Sequence, residues 1–150
     1  MKNSIFIIGS NSFSGSNFVN FLLNKKHKVI GVSRSKEYKS VYLRYKNNKF
    51  IKNFFFQKID LNNDLNKLFN LILKNRPDFI INFSAQGMVA ESWRSPEDWY
   101  KTNTLSTIKL HDFLRKQKFI KKYIHFGTPE VYGSTKYNHK ETEIFNPSTP

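Results

Sequence analysis

A short apolar run, Ser4-Ile5-Phe6-Ile7-Ile8, stops at a glycine and opens into Gly9-Ser10-Asn11-Ser12-Phe13-Ser14-Gly15. Apolar residues then recur at Phe18, Val19, Leu22 and Leu23, which from Gly15 onward is one face of a helix. A glycine turn between a buried strand and a helix N-terminus brings unpaired N–H groups and the positive end of the helix dipole to one point. The group that suits that point is a phosphate. We read Gly9 to Gly15 as a dinucleotide-binding turn, with a plain strand-to-helix loop as the alternative for the spacing alone. Ser12 stands where the middle of three glycines is usual; it crowds the approach of a pyrophosphate but brings a hydroxyl donor.

Ser33-Arg34-Ser35 lies roughly 20 residues beyond the turn, where such domains read the adenosine ribose. An acid there suits the 2′-hydroxyl of NAD. A guanidinium between two hydroxyls suits the 2′-phosphate of NADP. The expected cofactor is therefore NADP, with NAD possible, and a simple surface arginine is the alternative for Arg34. Asp60-Leu61, after the third apolar run, can accept from an adenine amino group or serve as a turn before Asn62-Asn63.

Five apolar runs have to position these residues. After the first come Lys28 to Ser33, Phe54 to Ile59, Asp78 to Phe83, and Lys122 to Phe126. Asp64 is placed to cap a helix that turns Leu65, Leu68, Phe69 and Ile72 inward and closes at Pro77. Ser95-Pro96-Glu97-Asp98 predicts a capped helix start, with the helix running to about Lys116 and Trp99, Leu110, Phe113 and Leu114 packing. Glu37 to Lys52 is polar and basic with no assigned form, and the Tyr42–Lys46 spacing inside it is coincidental. Strands alternating with helices predict an α/β fold, a Rossmann-like, doubly wound parallel sheet of right-handed crossovers in one domain. Ligands of such sheets sit beyond the carboxyl ends of the strands.

Composition narrows the classes. The chain of 150 residues has no cysteine, which excludes a disulfide framework and thiolate metal sites. No apolar stretch approaches the ~20 residues of a membrane span, and the N-terminus enters a strand with no signal peptide, so a cytoplasmic protein is expected. His27, His111, His125 and His139 lack metal-ligand spacing, and no metal is assigned. The net charge of +14 invites a nucleic-acid reading. Its lysines, among them Lys25, Lys26, Lys28, Lys46, Lys49, Lys52, Lys74, Lys116, Lys118, Lys121 and Lys122, are spread along the sequence over every predicted surface. A solvated basic surface is the reading preferred, with no nucleic-acid or membrane partner.

Several stretches, in order, carry a family resemblance: the glycine turn, Asp60-Leu61, Phe83-Ser84-Ala85-Gln86, Ser95-Pro96 with Thr102-Asn103, and Thr128-Pro129-Glu130-Val131-Tyr132-Gly133. Together they resemble the N-terminal half of an extended short-chain dehydrogenase/reductase of the nucleotide-sugar 4,6-dehydratase and epimerase kind. Asn146-Pro147-Ser148-Thr149-Pro150 is similar to the segment that, in this family, leads into a Tyr-x-x-x-Lys pair. The resemblance implies a sheet truncated before the catalytic helix and the substrate domain, and a chain without turnover by itself. Tyr132 and Lys136 have the pair's spacing, but Gly133 interrupts any helix that would give them a common face.

For the complete enzyme the resemblance implies oxidation of a nucleotide-sugar at C4 by NAD(P), elimination of water across C5 and C6, and return of the hydride to C6. Glu130 matches the carboxylate that removes the C5 proton, and Thr128 the hydroxyl that holds the reacting oxygen. Ser84, Ala85 and Gln86, with Phe83, match the nicotinamide-ribose side. Gln86 and Ser92 are placed to touch the sugar; Trp93 and Arg94 could reach a diphosphate or belong to an ordinary loop. Pro129 cannot donate a proton, unlike the Asp of dTDP-glucose dehydratases at this place, and the NADP-using GDP-mannose branch agrees better with Arg34. A 4-epimerase, which needs no carboxylate at position 130, and a UDP-glucuronate decarboxylase are the enzyme alternatives. A non-catalytic dinucleotide-binding module is the alternative from another class, and a basic nucleic-acid-binding protein a remote third. Relatives pair through the long helix, here Trp99 to Leu114, so the whole protein is expected to be a homo-oligomer.

Overall fold

The computed structural model describes residues 4–134 and 138–149. Lys136 and Pro150, named above for the Tyr–Lys spacing and the closing segment, lie outside the described residues. Five parallel strands form one sheet in the order β3-β2-β1-β4-β5. They are β1 (Ser4–Ile8), β2 (Lys28–Ser33), β3 (Phe54–Lys58), β4 (Phe79–Asn82) and β5 (Lys122–His125). β1 lies at the centre, paired in register with β2 on one side and β4 on the other.

Both faces of the sheet are covered, which is why the central strands are apolar without alternation. On one face Ile5, Ile7, Val29 and Ile81 pack against Val19 and Leu23 of helix α1 (Phe13–Asn24), with Leu43 and Tyr45 of the long β2–β3 connection. On the other, Phe6, Ile8, Ile30 and Ile80 meet Leu68 and Ile72 of α2 (Leu65–Asn75). The strand order reverses between β1 and β4, so a crevice opens beyond their carboxyl ends.

Two expected helix starts form differently. A short helix, α3 (Val89–Arg94), precedes Ser95, whose amide closes α3 on the Glu91 carbonyl at 3.0 Å. Held at ψ 60°, and restricted by the following proline, Ser95 makes no side-chain cap. The helix does begin at Pro96: α4 (Pro96–Trp99) widens into a π-helical segment, Tyr100–Ser106, then returns to α-helix as α5 (Thr107–Leu114), whose Leu110 joins the second core. Asp64 does not cap α2 either. Its carboxylate accepts the Asp60 amide at 3.1 Å and Lys67 Nζ at 2.6 Å, closing the turn after β3.

Candidate cofactor and substrate clefts

The turn after β1 admits no side chain at two places. Gly9 has φ +82°, and a Cβ there would stand 2.7 Å from the Ser84 amide nitrogen and 2.8 Å from the Phe83 carbonyl carbon. A Cβ on Gly15 would run into the Gly9 carbonyl oxygen. The two glycines bring α1 close against the ends of β1 and β4. Ser12, in the place of the middle glycine, is the N-cap of α1, its Oγ accepting the Gly15 amide at 3.0 Å. Its own hydroxyl hydrogen stays available. Among the described residues, the amides of Phe13 and Ser14 have no hydrogen-bond partner, and they stand at the positive end of α1. These donors fit a pyrophosphate, and the two glycines let the backbone that carries them close tightly against the ends of β1 and β4. Ser10 is fully buried and turned to the Val32 carbonyl, and the Phe13 ring is 86% exposed, so neither side chain joins the lining.

Asn11 ties the turn to the end of β2. Its amide donates to Ser33 Oγ at 2.9 Å, and its Nδ2 donates to the carbonyls of Ser35 and Lys36 at 3.2 and 3.0 Å. The buried Tyr45 hydroxyl supports it from below, 3.2 Å from Asn11 Oδ1 and 2.9 Å from Glu37 Oε1. Burial, with the Glu37 carboxylate, drives the Tyr45 hydroxyl well above the usual phenol range, so it stays a donor. Arg34 is thus carried on a braced loop. It lines the same cleft as Gly9, Asn11, Ser12, Ser33 and Ser35, and its Nη1 donates to Gln86 Oε1 at 3.3 Å across the crevice. Asp60 and Leu61 complete that wall. Asp60 also serves its turn, accepting from the Asn62 amide and Asn63 Nδ2 at 2.9 and 2.8 Å.

A second cleft adjoins the first, and Ser84, Ala85 and Gln86 line both. Its far wall carries Thr128 and Glu130, with Ser92 and Thr149 beside them. Thr128 Oγ1 caps the short turn Pro129–Tyr132 by accepting the Glu130 amide at 3.2 Å, which leaves the Thr128 hydroxyl hydrogen free and the Glu130 carboxylate exposed. Ser92 is buried and donates to the Val89 carbonyl at 2.6 Å. Phe83 lines the first cleft and stacks on Phe126 at 4.2 Å. Trp93 and Arg94 line neither cleft; Arg94 pairs with Glu91 at 3.1 Å.

Sequence reasoning assigned no role to the residues that hold these walls. Asn103 clamps Gln86 by its backbone, accepting the Gln86 amide at 2.8 Å and donating to its carbonyl at 3.0 Å. Asn62 donates to Thr102 Oγ1 at 2.9 Å and accepts from Ser106 Oγ at 2.7 Å. The fully buried Asn82 receives the Ser84 amide on Oδ1 at 2.9 Å, while its Nδ2 stands 3.2 Å from both the Tyr123 hydroxyl and His125 Nδ1. An asparagine ending an apolar strand was the one available signal. Among the described residues, no group of three His, Asp or Glu side chains could hold a metal ion.

The family described as GDP-mannose 4,6 dehydratase matches residues 6–150. GDP-mannose 4,6-dehydratase of Vibrio cholerae serotype O1 is 30% identical, the match covering 99% of this chain and 42% of that protein. The UDP-Glc/GlcNAc 4-epimerase structure from Campylobacter jejuni superposes with a TM-score of 0.84 at 23% identity, over 98% of this chain and 44% of that one. That likeness is one of fold. A dTDP-glucose 4,6-dehydratase from Bacillus anthracis, solved in complex with NAD, gives a TM-score of 0.77 at 25% identity, over 99% and 45%. The chain spans about two fifths of the length of the curated relatives it matches.

Proposed function

The chain belongs to the GDP-mannose 4,6-dehydratase family of nucleotide-sugar dehydratases and epimerases, and from that premise we propose that residues 1–150 form the dinucleotide-binding half of an NADP-linked nucleotide-sugar 4,6-dehydratase. The dTDP-glucose 4,6-dehydratase from Bacillus anthracis was solved with NAD, which supports a nicotinamide dinucleotide as the cofactor. The observation that carries the narrower reading is the adjoining of the two clefts through Ser84, Ala85 and Gln86, with the Thr128 hydroxyl and Glu130 carboxylate on the second.

In this reading the Phe13 and Ser14 amides and the Ser12 hydroxyl hold the pyrophosphate, and Arg34 between Ser33 and Ser35 grips the 2′-phosphate. A bound nicotinamide supplies the hydride acceptor for C4 of the sugar and the hydride donor for C6. Thr128 donates a hydrogen bond to the reacting sugar oxygen, whose proton would pass in the whole enzyme to the Tyr of the Tyr-x-x-x-Lys pair that the resemblance implies. Glu130, exposed in the cleft, takes the proton from C5 once the neighbouring carbonyl has made it acidic, and water leaves from C6. Pro129, between them, has no proton to give, so the proton that Glu130 takes from C5 is the one passed to the C6 hydroxyl as it leaves as water. Among the described residues no tyrosine stands one helical turn before a lysine over the clefts: Tyr42 and Lys46 lie in the β2–β3 connection, outside both linings. We therefore expect residues 1–150 to bind cofactor without turning a sugar over.

Titration of the chain with NADPH and NADH, alongside Arg34→Asp, tests the cofactor assignment. NADPH is expected to bind the more tightly, and Arg34→Asp to remove at least about tenfold of that preference, the size of one charge-assisted hydrogen-bond pair. Equal affinity for the two cofactors, unchanged by the substitution, would refute NADP. Conversion of GDP-mannose by the purified chain would refute binding without turnover.

A further inference from the structure

The parallel sheet gathers basic residues that the sequence scatters. Every helix-to-strand turn ends at the N-terminal edge of the sheet, opposite the two clefts. The turn after α1 carries Lys25, Lys26 and Lys28, and the approach to β3 carries Lys49 and Lys52. The last turn of α2 and its C-cap add Lys74 and Arg76. The turn after α5 adds Arg115, Lys116, Lys118, Lys121 and Lys122. All twelve are exposed, and they are nearly half of the 25 basic residues. Of the 11 acids, only Asp78, before β4, and Asp112, in the last turn of α5, stand beside these cations. Asp78 pairs with Lys121, and Asp112 with Arg115 and Lys116. Among the described residues the other nine cations have no carboxylate partner.

Three further features mark this edge. The cation–π contacts among the described residues all fall here: Lys25 on Phe21, Lys26 and Lys49 on Phe50, and Arg76 on Phe119, at 4.6 to 5.8 Å. Lys26 and Arg76 take positive φ, 60° and 43°, at helix ends where glycine is the usual residue. Phe21 and Leu73 stand among the charges 52% and 44% exposed.

We infer that this edge is an interaction surface for a lipid bilayer bearing anionic headgroups, which leaves the clefts facing the aqueous side. Ten of the twelve cations are lysines, point charges that match a diffuse anionic plane and lack the bidentate fork used to read a phosphate or base in fixed geometry. Phe50 and Phe119 are half-buried beneath their cations and so do not offer the bare faces on which nucleic-acid bases stack. Exposed Phe21 and Leu73 supply the apolar area that seats in an interface once charge has brought it close. Convergence also answers the expectation of a dispersed, merely solvated basic surface: of the lysines quoted for that expectation, all but Lys46 lie on this one edge.

The test is flotation of the purified chain with vesicles of phosphatidylcholine alone and of phosphatidylcholine with about one-third phosphatidylglycerol. Binding is expected to the anionic vesicles only, and to be lost in about 1 M salt, where screening shortens to about 3 Å. Lys25→Glu/Lys52→Glu/Lys74→Glu/Lys118→Glu is expected to lower partitioning at least about a hundredfold, since each cation near such a leaflet is worth about fivefold. Lys39→Glu/Lys101→Glu/Lys109→Glu/Lys140→Glu makes the same change in net charge away from the edge and is expected to keep most of the binding. The corresponding Lys→Gln sets, checked for an unchanged thermal midpoint, separate charge from any folding defect. Absence of vesicle binding would overturn the inference. Equal loss in the two sets would reduce it to net charge, and a single-stranded oligonucleotide that bound while vesicles did not would assign the edge to nucleic acid instead.

Discussion

A methyl group on Gly15 would meet the Gly9 carbonyl oxygen and Ser12 Oγ at the point where α1 leaves the turn. Backbone on one side and the helix cap on the other leave neither neighbour room to move. Gly15→Ala is therefore expected to destabilise the chain by about 2 kcal/mol and to abolish NADPH binding, measured by the denaturant midpoint and by titration. His125 reports on the second cleft in another way. Partial loss of water around its ring, and then the charge of His111, hold its pKa below the ordinary histidine range although the residue keeps an exposed edge. With Asn82 donating to Nδ1, the neutral ring is assigned its proton on Nε2. The folded chain thus prefers neutral His125, whereas the unfolded chain takes up a proton near pH ~6.5. Its stabilisation is complete above that pH and is lost as the pH falls through the lower folded value. The denaturant midpoint is expected to fall between pH 7.5 and pH 5, and His125→Gln to make that fall shallower.

The π-helical segment is the element that turns a packing helix into part of the site. Widening the helix between Tyr100 and Ser106 aims Thr102, Asn103 and Ser106 at the loops after β3 and β4, which an uninterrupted α-helix over the same residues would present differently. Asn103 matters most, because it satisfies both backbone groups of Gln86, the residue shared by the two clefts. Asn103→Ala is expected to cost about 1–3 kcal/mol of stability by leaving that amide and carbonyl unpaired. NADPH affinity is expected to fall with it, as Gln86 loses its fixed place, whereas Asn103→Asp, which keeps the acceptor, should lose less. Unfolding and titration of the two variants check this, and equal behaviour of Ala and Asp would remove the clamp from the account.

At the scale of the whole molecule, the sheet has two edges of different character and one exposed flank. The carboxyl edge carries the clefts and the amino edge the lysines. Among the described residues β5 is the outer strand on this side, and Ile124 on it and Phe126 just past it are 41% and 51% exposed on the face that α1 covers further along the sheet. An apolar strand with an unpaired edge templates association. Residues 1–150 are expected to self-associate with rising concentration in sedimentation velocity, and Ile124→Lys to suppress this without changing NADPH affinity. A concentration-independent monomer would show that this flank is adequately protected.

What the sequence determined by itself is what depends on neighbours along the chain. The bounds of β1 and β2, the glycine turn with α1 behind it, the place of Arg34 after β2 and the start of a helix at Pro96 were all legible from periodicity and backbone chemistry. The parallel, doubly wound sheet followed from the alternation of elements, whereas the order of its strands was decided by the tertiary structure. Ser95 and Asp64 misled because each has the side chain of a helix cap, while the backbone it needs was claimed by α3 in one case and by the turn after β3 in the other. The pairing of Asn103 with Gln86, of Asn82 with His125, and the meeting of the lysines at one edge were decided only by the tertiary structure. Residues far apart in sequence share an edge there because parallel strands all point one way, so every crossover returns its turn to the same side of the sheet.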